Sequence, residues 1–449
     1  MAQSDTKTTG AKNLGSSGVL YNDRRDFYIR PNVVKELWTD VTPFTTVIAN
    51  QATMSGMADP TFKMFEHRNP WQKQCFSIND SSISDAVIEA GGTQTTEFVG
   101  VDGFVGIADG AHLVGLQVEI WNEAETTKKG VALVTEYTSS TIKLKNVSGA
   151  NTMAQANITI ADNDKLYVIG NAQGEGGLSP EAWSDDLEVV YNSCQIFKTP
   201  VQVTGTLLQA SLRGESKELA RLRDIKSSEH KIQKERAFLF GSNPQGMGHA
   251  SGGAFANIED ITDKDGRVTR TTMGIIPALE RYGNDGSGAD PYSQNVFAKA
   301  DVADYSKFVD AMEKVFQYVP TVGMKRAFVG AGALGYWSKM SSDSGTFSGD
   351  SGWAVNLGDM KRDALGFNYR VLETPHGMIQ LVPTPALRGP YSKHMLIVDE
   401  SNLFHAQYRK PAFQASIQPN DADYVKDQYF SDEGIGVSMI ESHALIDLN

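Results

Sequence analysis

Cysteine is almost missing from this chain, which has two, Cys75 and Cys194, in 449 residues. The sequence does not decide whether a disulfide joins them, but two cysteines are too few for a small secreted scaffold held together by disulfides. The eight histidines are scattered, and none stands four residues from another or in an HExxH motif. We therefore expect no bound metal, no cofactor, and a reducing cytosol as the place of synthesis.

Long apolar runs are missing as well. No stretch approaches the roughly 18 to 20 apolar residues that a membrane-spanning helix needs. The first residues, MAQSDTKTTGAKNLGSSG, contain no apolar core of a signal peptide. We expect a soluble protein without a membrane partner, which acts in the compartment where it is made.

The chain also lacks an excess of positive charge, since its formal net charge is −13. A protein dedicated to nucleic-acid binding presents a basic stripe that supplies most of its affinity, so this class is disfavoured. A container whose inner surface is only locally basic stays compatible. Apolar residues make up 40% and charged residues 21% of the chain, which is ordinary globular composition, and the length indicates two or three domains.

The segment TFKMFEHR, residues 61–68, has the alternation of a strand. Phe62 and Met64 lie on one side, and Lys63 and Phe65 lie on the other. Because large side chains occur on both sides, we expect a strand that is contacted on both faces, as in an arm that lies over a neighbouring molecule.

Residues 100–172 have a different texture. Short runs rich in Val, Ile and Leu alternate with Gly, Asn and Asp turns. Turn signals at such short, regular intervals are typical of a small β-sandwich or barrel. We expect an inserted β domain here.

Residues 211–240 carry the clearest helical pattern of the chain. A narrow apolar stripe, close to two positions in seven, runs along it. The stripe consists of Leu212, Leu219, Leu222, Ile225, Ile232 and Leu239. Thirty residues would give a helix about 45 Å long, and Gly241 is a natural end for it.

This helix is basic in an acidic chain, with eight Lys or Arg residues against five acids. Its basic face could attract packaged nucleic acid without sequence preference. It could equally be a solvated face neutralised by pairs such as Glu218–Arg221 and Lys231–Glu235. For stability we favour the second interpretation, which does not exclude weak contact with nucleic acid.

The segment Gly330-Ala-Gly332-Ala-Leu-Gly335 follows a predicted strand and precedes a predicted helix, as the dinucleotide fingerprint G-x-G-x-x-G does. No second strand ending in an acidic residue follows; a loop, SSDSGTFSGDSGW, comes instead. We favour a tight turn with close helix packing over a nucleotide site.

Two other motifs are incomplete. GDSG at 349–352 is similar to the loop around a serine nucleophile, but its surroundings predict a surface loop. DKDG at 263–266 looks like the middle of a calcium loop. Ile261 and Thr272 stand where such a loop needs Asp and Glu, so a turn is the better interpretation.

The order of the parts is informative. An arm, an outgoing strand (FKMFEHR), a β module, a returning strand (VVYNSCQIFKTPVQVTG), one long charged helix and a mixed α/β part follow one another. This order resembles the major capsid proteins of tailed bacteriophages with the Hong Kong 97 fold, in particular a subfamily whose extended loop carries an insertion. The stretch LARLRDIKSSEHKIQKERAFLFG looks like the spine helix of that family. The resemblance covers roughly residues 20–449.

The resemblance implies an α+β fold of the Hong Kong 97 type with a small inserted all-β domain. The implied parts are an N-terminal arm (1–55), extended-loop strands (56–99 and 173–205), an inserted β domain (100–172), a peripheral domain with the spine helix 211–240 (206–300), an axial domain (301–400), and C-terminal strands that return to the peripheral domain (401–449).

Two sets of residues are candidates for the functional surfaces. The candidates for assembly contacts are Phe62, Phe65, Glu66, Arg68 and Trp71. The candidates for a basic helix face toward the lumen of a shell are Arg213, Lys217, Arg221, Arg223, Lys231 and Lys234.

We expect a structural protein without enzymatic activity, which self-assembles through hexamers and pentamers into the icosahedral head of a tailed phage around double-stranded DNA. Expected partners are further copies of the chain, scaffolding, portal and decoration proteins, and weakly bound packaged DNA. The expected location is the virion, after assembly in the host cytoplasm. The alternatives are a phage tail or fibre protein and, less favoured, a nucleotide-binding enzyme that uses Gly330, Gly332 and Gly335.

Overall fold

The structure is a computed structural model of the chain. It describes residues 42–51, 53–67, 75–78, 86–88, 98–99, 101–102, 114–137, 141–147, 157–176, 187–210, 218–243, 261–286, 294–318, 323–343, 356–357, 360–363, 365 and 368–449.

The strands in chain order are β1 (Thr53–Ser55), β2 (Thr61–Glu66), β3 (Cys75–Ile78), β4 (Ala86–Ile88), β5 (Phe98–Val99), β6 (Val101–Asp102), β7 (Leu116–Trp121), β8 (Lys128–Tyr137), β9 (Thr141–Asn146), β10 (Ile158–Ile160), β11 (Lys165–Asn171), β12 (Glu188–Ser193), β13 (Gln195–Thr204), β14 (Val296–Ala298), β15 (Met324–Val329), β16 (Asn356–Leu357), β17 (Lys361–Arg362), β18 (Asn368–Glu373), β19 (Met378–Pro383), β20 (His394–Val398), β21 (Leu403–Gln414), β22 (Tyr424–Val437) and β23 (Ala444–Asp447).

The helices are α1 (Pro43–Gln51), α2 (Gly205–Gln209), α3 (Glu218–Phe240), α4 (Ile275–Tyr282), α5 (Tyr305–Phe316) and α6 (Ala331–Asp343). Strands are more numerous than helices among the described residues, which agrees with the predicted α+β class. None of the described helices is long and apolar enough to cross a membrane.

The described chain forms two compact units. The smaller contains Lys198–Lys231 and Pro411–Phe430, and the larger contains Val41–Phe197, Ile232–Lys410 and Ser431–Asn449. A four-stranded sheet has the order β1-β21-β22-β13.

An eight-stranded sheet forms the centre of the larger unit, in the order β14-β23-β20-β15-β19-β18-β16, with β17 paired to β18. Successive residues of β15 enter different cores. Phe328 belongs to a cluster with the residues of α1 and α4, whereas Ala327 and Val329 belong to a cluster with those of α5 and α6. Both faces of the sheet are therefore buried, which explains why these strands are apolar runs in the sequence.

Helix α5 covers one face of this sheet. The Asp304 side chain accepts a hydrogen bond from the Lys307 N–H at 3.0 Å and caps the first turn. Phe308 and Met312, four residues apart, are fully buried on the sheet side.

A second core lies in the β module. Its seven strands have the order β5-β9-β8-β7-β11-β3-β6, and β10 and β4 form a separate pair. The apolar side chains alternate inward along the long strands, as at Val118 and Ile120 of β7. The first strand of the sheet is β3 at Cys75, which precedes the predicted boundary at residue 100. Strands β3 to β6 have two to four residues each, which is too short to show alternation in a sequence.

Helix α3 ends at Phe240, as predicted from Gly241, and is described from Glu218 onward; the predicted start at 211 lies outside the described residues. A Cβ atom on Gly241 would stand 2.4 Å from the Ala237 carbonyl oxygen and 2.5 Å from that of Thr272. Only glycine fits this close approach of two backbones. Of the predicted apolar stripe, Leu239 is fully buried.

Replacement of Trp337 by alanine tests the packing of α6 against α5. Its indole is fully buried and packs against Phe308 with ring centroids 4.8 Å apart. We expect Trp337→Ala to lower the free energy of unfolding by about 3 to 5 kcal/mol, measured by denaturant titration of the unassembled protein. Lys339→Ala on the same helix is the control, with a change below about 0.5 kcal/mol. Equal stability of the two variants would contradict the packing described here.

Candidate assembly surfaces

A two-stranded ribbon carries the most exposed aromatic side chain of the described residues. Strands β2 and β12 pair antiparallel in a continuous register from Thr61↔Ser193 to Glu66↔Glu188. The outgoing and returning strands inferred from the sequence are thus hydrogen-bonded partners. A ribbon of two strands needs contacts beyond its own pairing to be stable.

The inner face of the ribbon supplies such contacts. Val190 is buried in the central core, and Met64, its register partner, packs against that core. Glu66 is also buried, and its Oε1 accepts a hydrogen bond from the Met439 N–H at 2.8 Å. Glu66 was expected at an assembly surface. That prediction is wrong, because its carboxylate is committed to a backbone amide inside the subunit.

Asn192 fixes the base of the ribbon. It is fully buried, and its amide nitrogen donates to the carbonyl oxygens of Ile435 at 2.7 Å and Met273 at 3.0 Å. Its side-chain oxygen accepts from the N–H groups of Met273 at 3.0 Å and Ser193 at 2.8 Å. Four hydrogen bonds use the full capacity of a buried amide and leave nothing unsatisfied.

The outer face of the ribbon is different. Phe65 is 75% exposed and stands opposite Val189 in the register, and Leu187, next to the start of β12, is 58% exposed. A surface on which large apolar side chains lie together indicates an interaction site, whereas a single exposed apolar side chain does not. We take Phe65, Leu187 and Val189 together as the ribbon face.

The other assembly candidates have separate outcomes. Phe62 is partly buried and packs edge-on against Phe404 with ring centroids 5.6 Å apart, inside the subunit. Arg68 and Trp71 lie outside the described residues. Sequence reasoning missed the exposed Leu187 and the partly exposed Val189, because only tertiary packing decides which face of β12 meets the core.

The basic side chains of α3 are largely neutralised by neighbouring acids. Arg221 pairs with Glu218, as the sequence predicted. In the smaller unit, Arg223 lies 2.7 Å from the carboxylate of Asp427, which is fully buried.

The remaining basic candidates differ from each other. Lys231 is exposed, and Arg213 and Lys217 lie outside the described residues. Lys234 is buried, with its ammonium nitrogen 3.0 Å from Glu433 Oε2. The prediction that Lys234 belongs to an exposed basic face is therefore wrong.

Two consecutive carboxylates on β22 organise the interior of the larger unit. Asp432 lies 3.1 Å from Arg409 and 3.6 Å from Arg270. Glu433 faces Lys234 and, at 3.4 Å, His405. Burial opposes ionisation of Glu433, but His405 and Lys234 together outweigh it and hold the pKa of this carboxyl below its usual value.

Cys194 lies near these charges as a free, buried thiol. It therefore forms no disulfide with Cys75. Burial is the largest cause that raises the pKa of this thiol, to about 12. A thiol with so high a pKa is a structural side chain and not a nucleophile.

Glu235 caps helix α1 from a distant part of the chain. Its carboxylate accepts hydrogen bonds from the Thr45 N–H at 2.9 Å and the Phe44 N–H at 3.4 Å, in the first turn of α1. The predicted pair with Lys231 is thus wrong. Burial raises the pKa of the Glu235 carboxyl to about 7, against these hydrogen bonds, which favour the ionised form.

The first two glycines of the motif, Gly330 and Gly332, allow a close approach to the backbone at Ser392. The Gly330 N–H donates to the His394 carbonyl oxygen at 3.1 Å. A Cβ atom on Gly330 would stand 2.3 Å from the Ser392 carbonyl oxygen, and one on Gly332 3.0 Å from the same atom. The favoured interpretation, a tight turn with close packing, agrees with this geometry.

The other two motifs have separate outcomes. At 263–266, Asp263 Oδ1 accepts from the N–H groups of Asp265 and Arg267 at 2.8 and 2.9 Å, which makes the segment a turn. The motif at 349–352 lies outside the described residues. Within the described part of the chain, no three His, Cys, Asp or Glu side chains are grouped to hold a metal ion.

The described residues thus form a sheet covered on both faces, a long helix and a ribbon with an apolar outer face. The chain belongs to the SU10 major capsid protein family, whose family model matches residues 15–448. Its sequence is 27% identical over 209 residues to the major capsid protein of Pseudomonas phage PaMx41, an alignment that covers 44% of this chain. The chain spans about half the length of that relative, 46%.

Similar solved structures include the capsid of a native GTA particle, with a TM-score of 0.41 and 9% identity over 94% of this chain and 95% of that one. The structure from Mycobacterium phage Patience has a TM-score of 0.38 and 14% identity, covering 62% and 77%. The holo-SrpI encapsulin of Synechococcus elongatus has a TM-score of 0.36 and 9% identity, covering 57% and 74%.

Substitution of Asn192 tests the anchor of the ribbon. In Asn192→Leu the volume is nearly kept, but the Met273 N–H and the Ile435 carbonyl lose their partner in a buried site. We expect the free energy of unfolding to fall by about 3 kcal/mol or more, measured by denaturant titration. Gln428→Leu, a partly exposed amide on β22, is the control with little change. A stable Asn192→Leu protein would rule out the anchor.

Replacement of Glu235 by glutamine gives a pH-dependent test. The pKa of Glu235 is raised from 4.5 to about 7, so the folded protein binds the extra proton and wild-type stability falls as pH rises between these values. Glutamine keeps an acceptor for α1 without this titration. Glu235→Gln should match wild type near pH 4.5 and exceed it above pH 7 by roughly 2 to 4 kcal/mol.

The comparison with wild type at each pH is the essential control. Burial lowers the pKa of His443 to about 4, and this group gives wild type a slope of opposite sign in an overlapping range. Both proteins contain His443, so its effect cancels in the difference. A Glu235→Gln protein less stable than wild type at pH 8 would show that the ionised carboxylate is preferred there.

Proposed function

We propose that this protein is the structural major capsid subunit of a tailed phage, which self-assembles into an icosahedral head around double-stranded DNA and has no enzymatic activity. The observation that carries the proposal is the family match over residues 15–448. The phage origin of the curated relative supports it.

The proposed architecture is that of the Hong Kong 97 type, with an arm, an extended loop, a spine helix and an axial domain. The ribbon of β2 and β12 corresponds to the extended loop, and α3 to the spine helix. The proposed β insertion lies between the two ribbon strands and would begin at Cys75, because β3 shares a sheet with β7 and β11.

The ribbon face is the proposed contact between neighbouring copies in hexamers and pentamers. An exposed Phe65 is unfavourable in water, and its burial against a second copy would recover that free energy. The inner face is held by Asn192 and Glu66, so the ribbon face is pre-positioned and little ordering cost remains. Scaffolding, portal and decoration proteins are further proposed partners, with assembly in the host cytoplasm and a final place in the virion.

Contact with packaged DNA is proposed to be weak. Three of the basic candidates on α3, namely Arg221, Arg223 and Lys234, are paired with acids. A paired side chain releases few counterions when it meets a phosphate. Lys231 is the exposed candidate that could meet DNA.

The test is negative-stain electron microscopy of the purified protein, with mass photometry beside it. The proposal predicts closed shells or stable rings of five or six subunits. Tubes or trimeric spikes would support a tail or fibre protein. A monodisperse monomer or dimer, even when scaffolding protein is co-expressed, would contradict the proposal.

Phe65→Ser tests the ribbon face. The substitution removes an exposed ring, so the unassembled protein should keep its thermal stability. Loss of an aromatic contact at an interface costs about 2 kcal/mol or more, so the threshold concentration for assembly should rise at least tenfold, measured by light scattering. Val268→Ser, at an exposed apolar residue of a different surface, is the control. Assembly of Phe65→Ser at the wild-type threshold would exclude the ribbon face.

A further inference from the structure

Strand β21 has an edge that is occupied only in part. Strand β1 pairs with it in parallel, from Thr53↔His405 to Ser55↔Gln407. β22 lies on the other side. Among the strands that the structure describes, none pairs with the β1 side of β21 beyond Gln407. The backbone groups of the following residues on this side are those to which another strand can add.

The open part of the edge is exposed on both faces. All nine residues from Arg409 to Ile417 are exposed, whereas a strand in a packed sheet alternates between buried and exposed positions. The opposite edge of this sheet, β13, does alternate, and Pro200 in its middle removes a donor. Its exposed residues therefore lie on one face, which makes β21 the better edge for strand addition.

The chemistry of this edge is unusual for a surface. The ten residues 411–420, PAFQASIQPN, contain no charged side chain. Natural proteins usually protect exposed edges with lysine or other charges. Pro411 lacks an N–H group. Ser416 has a positive φ of 55° and its N–H group is bound to Asp427, and the Ile417 N–H donates to the Lys426 carbonyl oxygen. The part able to pair on both donor and acceptor sides is therefore Ala412–Ala415.

Contacts within the smaller unit hold this segment in place. The Phe413 ring lies 5.0 Å from the Tyr429 ring, and the Arg223 guanidinium lies 5.4 Å from its centroid. The buried carboxylate of Asp427 pairs with Arg223 and accepts a hydrogen bond from the Ser416 N–H at 2.8 Å. The edge is thus ordered before any partner arrives, which lowers the entropic cost of strand addition.

We propose that Ala412–Ala415 accepts an extended segment from a second copy of this chain by backbone hydrogen bonding. The inference rests on the proposed capsid function, in which identical copies are the neighbours. Copies with a net charge of −13 repel one another. An uncharged strip preceded by Arg409 and Lys410 is a place where acidic copies can approach with little repulsion. β1 shows that the same edge already accepts a strand.

Hydrogen–deuterium exchange of peptides covering 409–420, before and after assembly, tests the proposal. We expect the amides of Ala412–Ala415 that face away from β22 to exchange rapidly in the unassembled subunit and at least about tenfold more slowly in assembled particles. Shells without this protection would overturn the inference while leaving the capsid function intact. Absence of any shell would instead count against the capsid function.

The occupant is tested by the same measurement. Protection already present in the unassembled monomer would mean that a segment of the same copy covers the edge. Protection that appears only after another protein is added would assign the edge to that protein. Either result overturns the proposal of a second copy.

A lysine introduced into the strip gives an independent test. Ala415→Lys should leave thermal stability unchanged, because the position is exposed. It should reduce the yield of particles at least about tenfold, because a charge protects an edge against pairing. Ala303→Lys, at another exposed alanine, is the matched control and should assemble as wild type. Normal assembly of Ala415→Lys with unprotected amides would contradict strand addition.

Discussion

A ribbon of two strands cannot fix its own position, and the four hydrogen bonds of Asn192 supply what it lacks. They join the end of β12 to the backbone at Met273 and to β22 at Ile435. Glu66 adds a second attachment at Met439. Because both attachments are buried, loss of either leaves polar groups without water or partner. The direction of the ribbon face therefore depends on polar groups in the interior and not on the ribbon itself.

Buried charged side chains on β22 likewise hold neighbouring elements in place. Asp432 and Glu433 are consecutive, so they point to opposite faces of the strand. Each has its own partners, which are Arg409 and Arg270 for Asp432, and Lys234 and His405 for Glu433. Buried pairs of this kind are weak contributors to stability but costly to break. Within the larger unit, they fix residues 232–240 of α3 relative to residues 403–410 of β21 and 431–437 of β22.

Much of the fold follows from patterns that are local in sequence. The alternation of residues 61–68 predicts β2, and Gly241 predicts the end of α3. What the sequence could not reveal is the partner of a charged side chain. Lys234 and Glu235 look like members of a solvated helix face, yet one meets Glu433 and the other caps α1. Both partners are separated from them by about 190 residues or more, and no helical spacing encodes such a contact.

The same limit applies to the candidate site. Alternation along β2 separates Phe65 from Glu66, but only the packing of Val190 shows which side faces the core. The early boundary of the β module escaped notice because β3 to β6 are too short to show a period. Local patterns thus identify elements, and tertiary contacts decide which side chains remain available for assembly.

The central claim is that a rigidly anchored ribbon presents Phe65 to a neighbouring copy in a closed shell. A three-dimensional reconstruction of assembled particles by electron cryomicroscopy, at a resolution that traces side chains, tests it most directly. The account predicts Phe65 and Val189 buried against another subunit, with Asn192 still bonded at the base of the ribbon. A shell in which Phe65 faces solvent would contradict it.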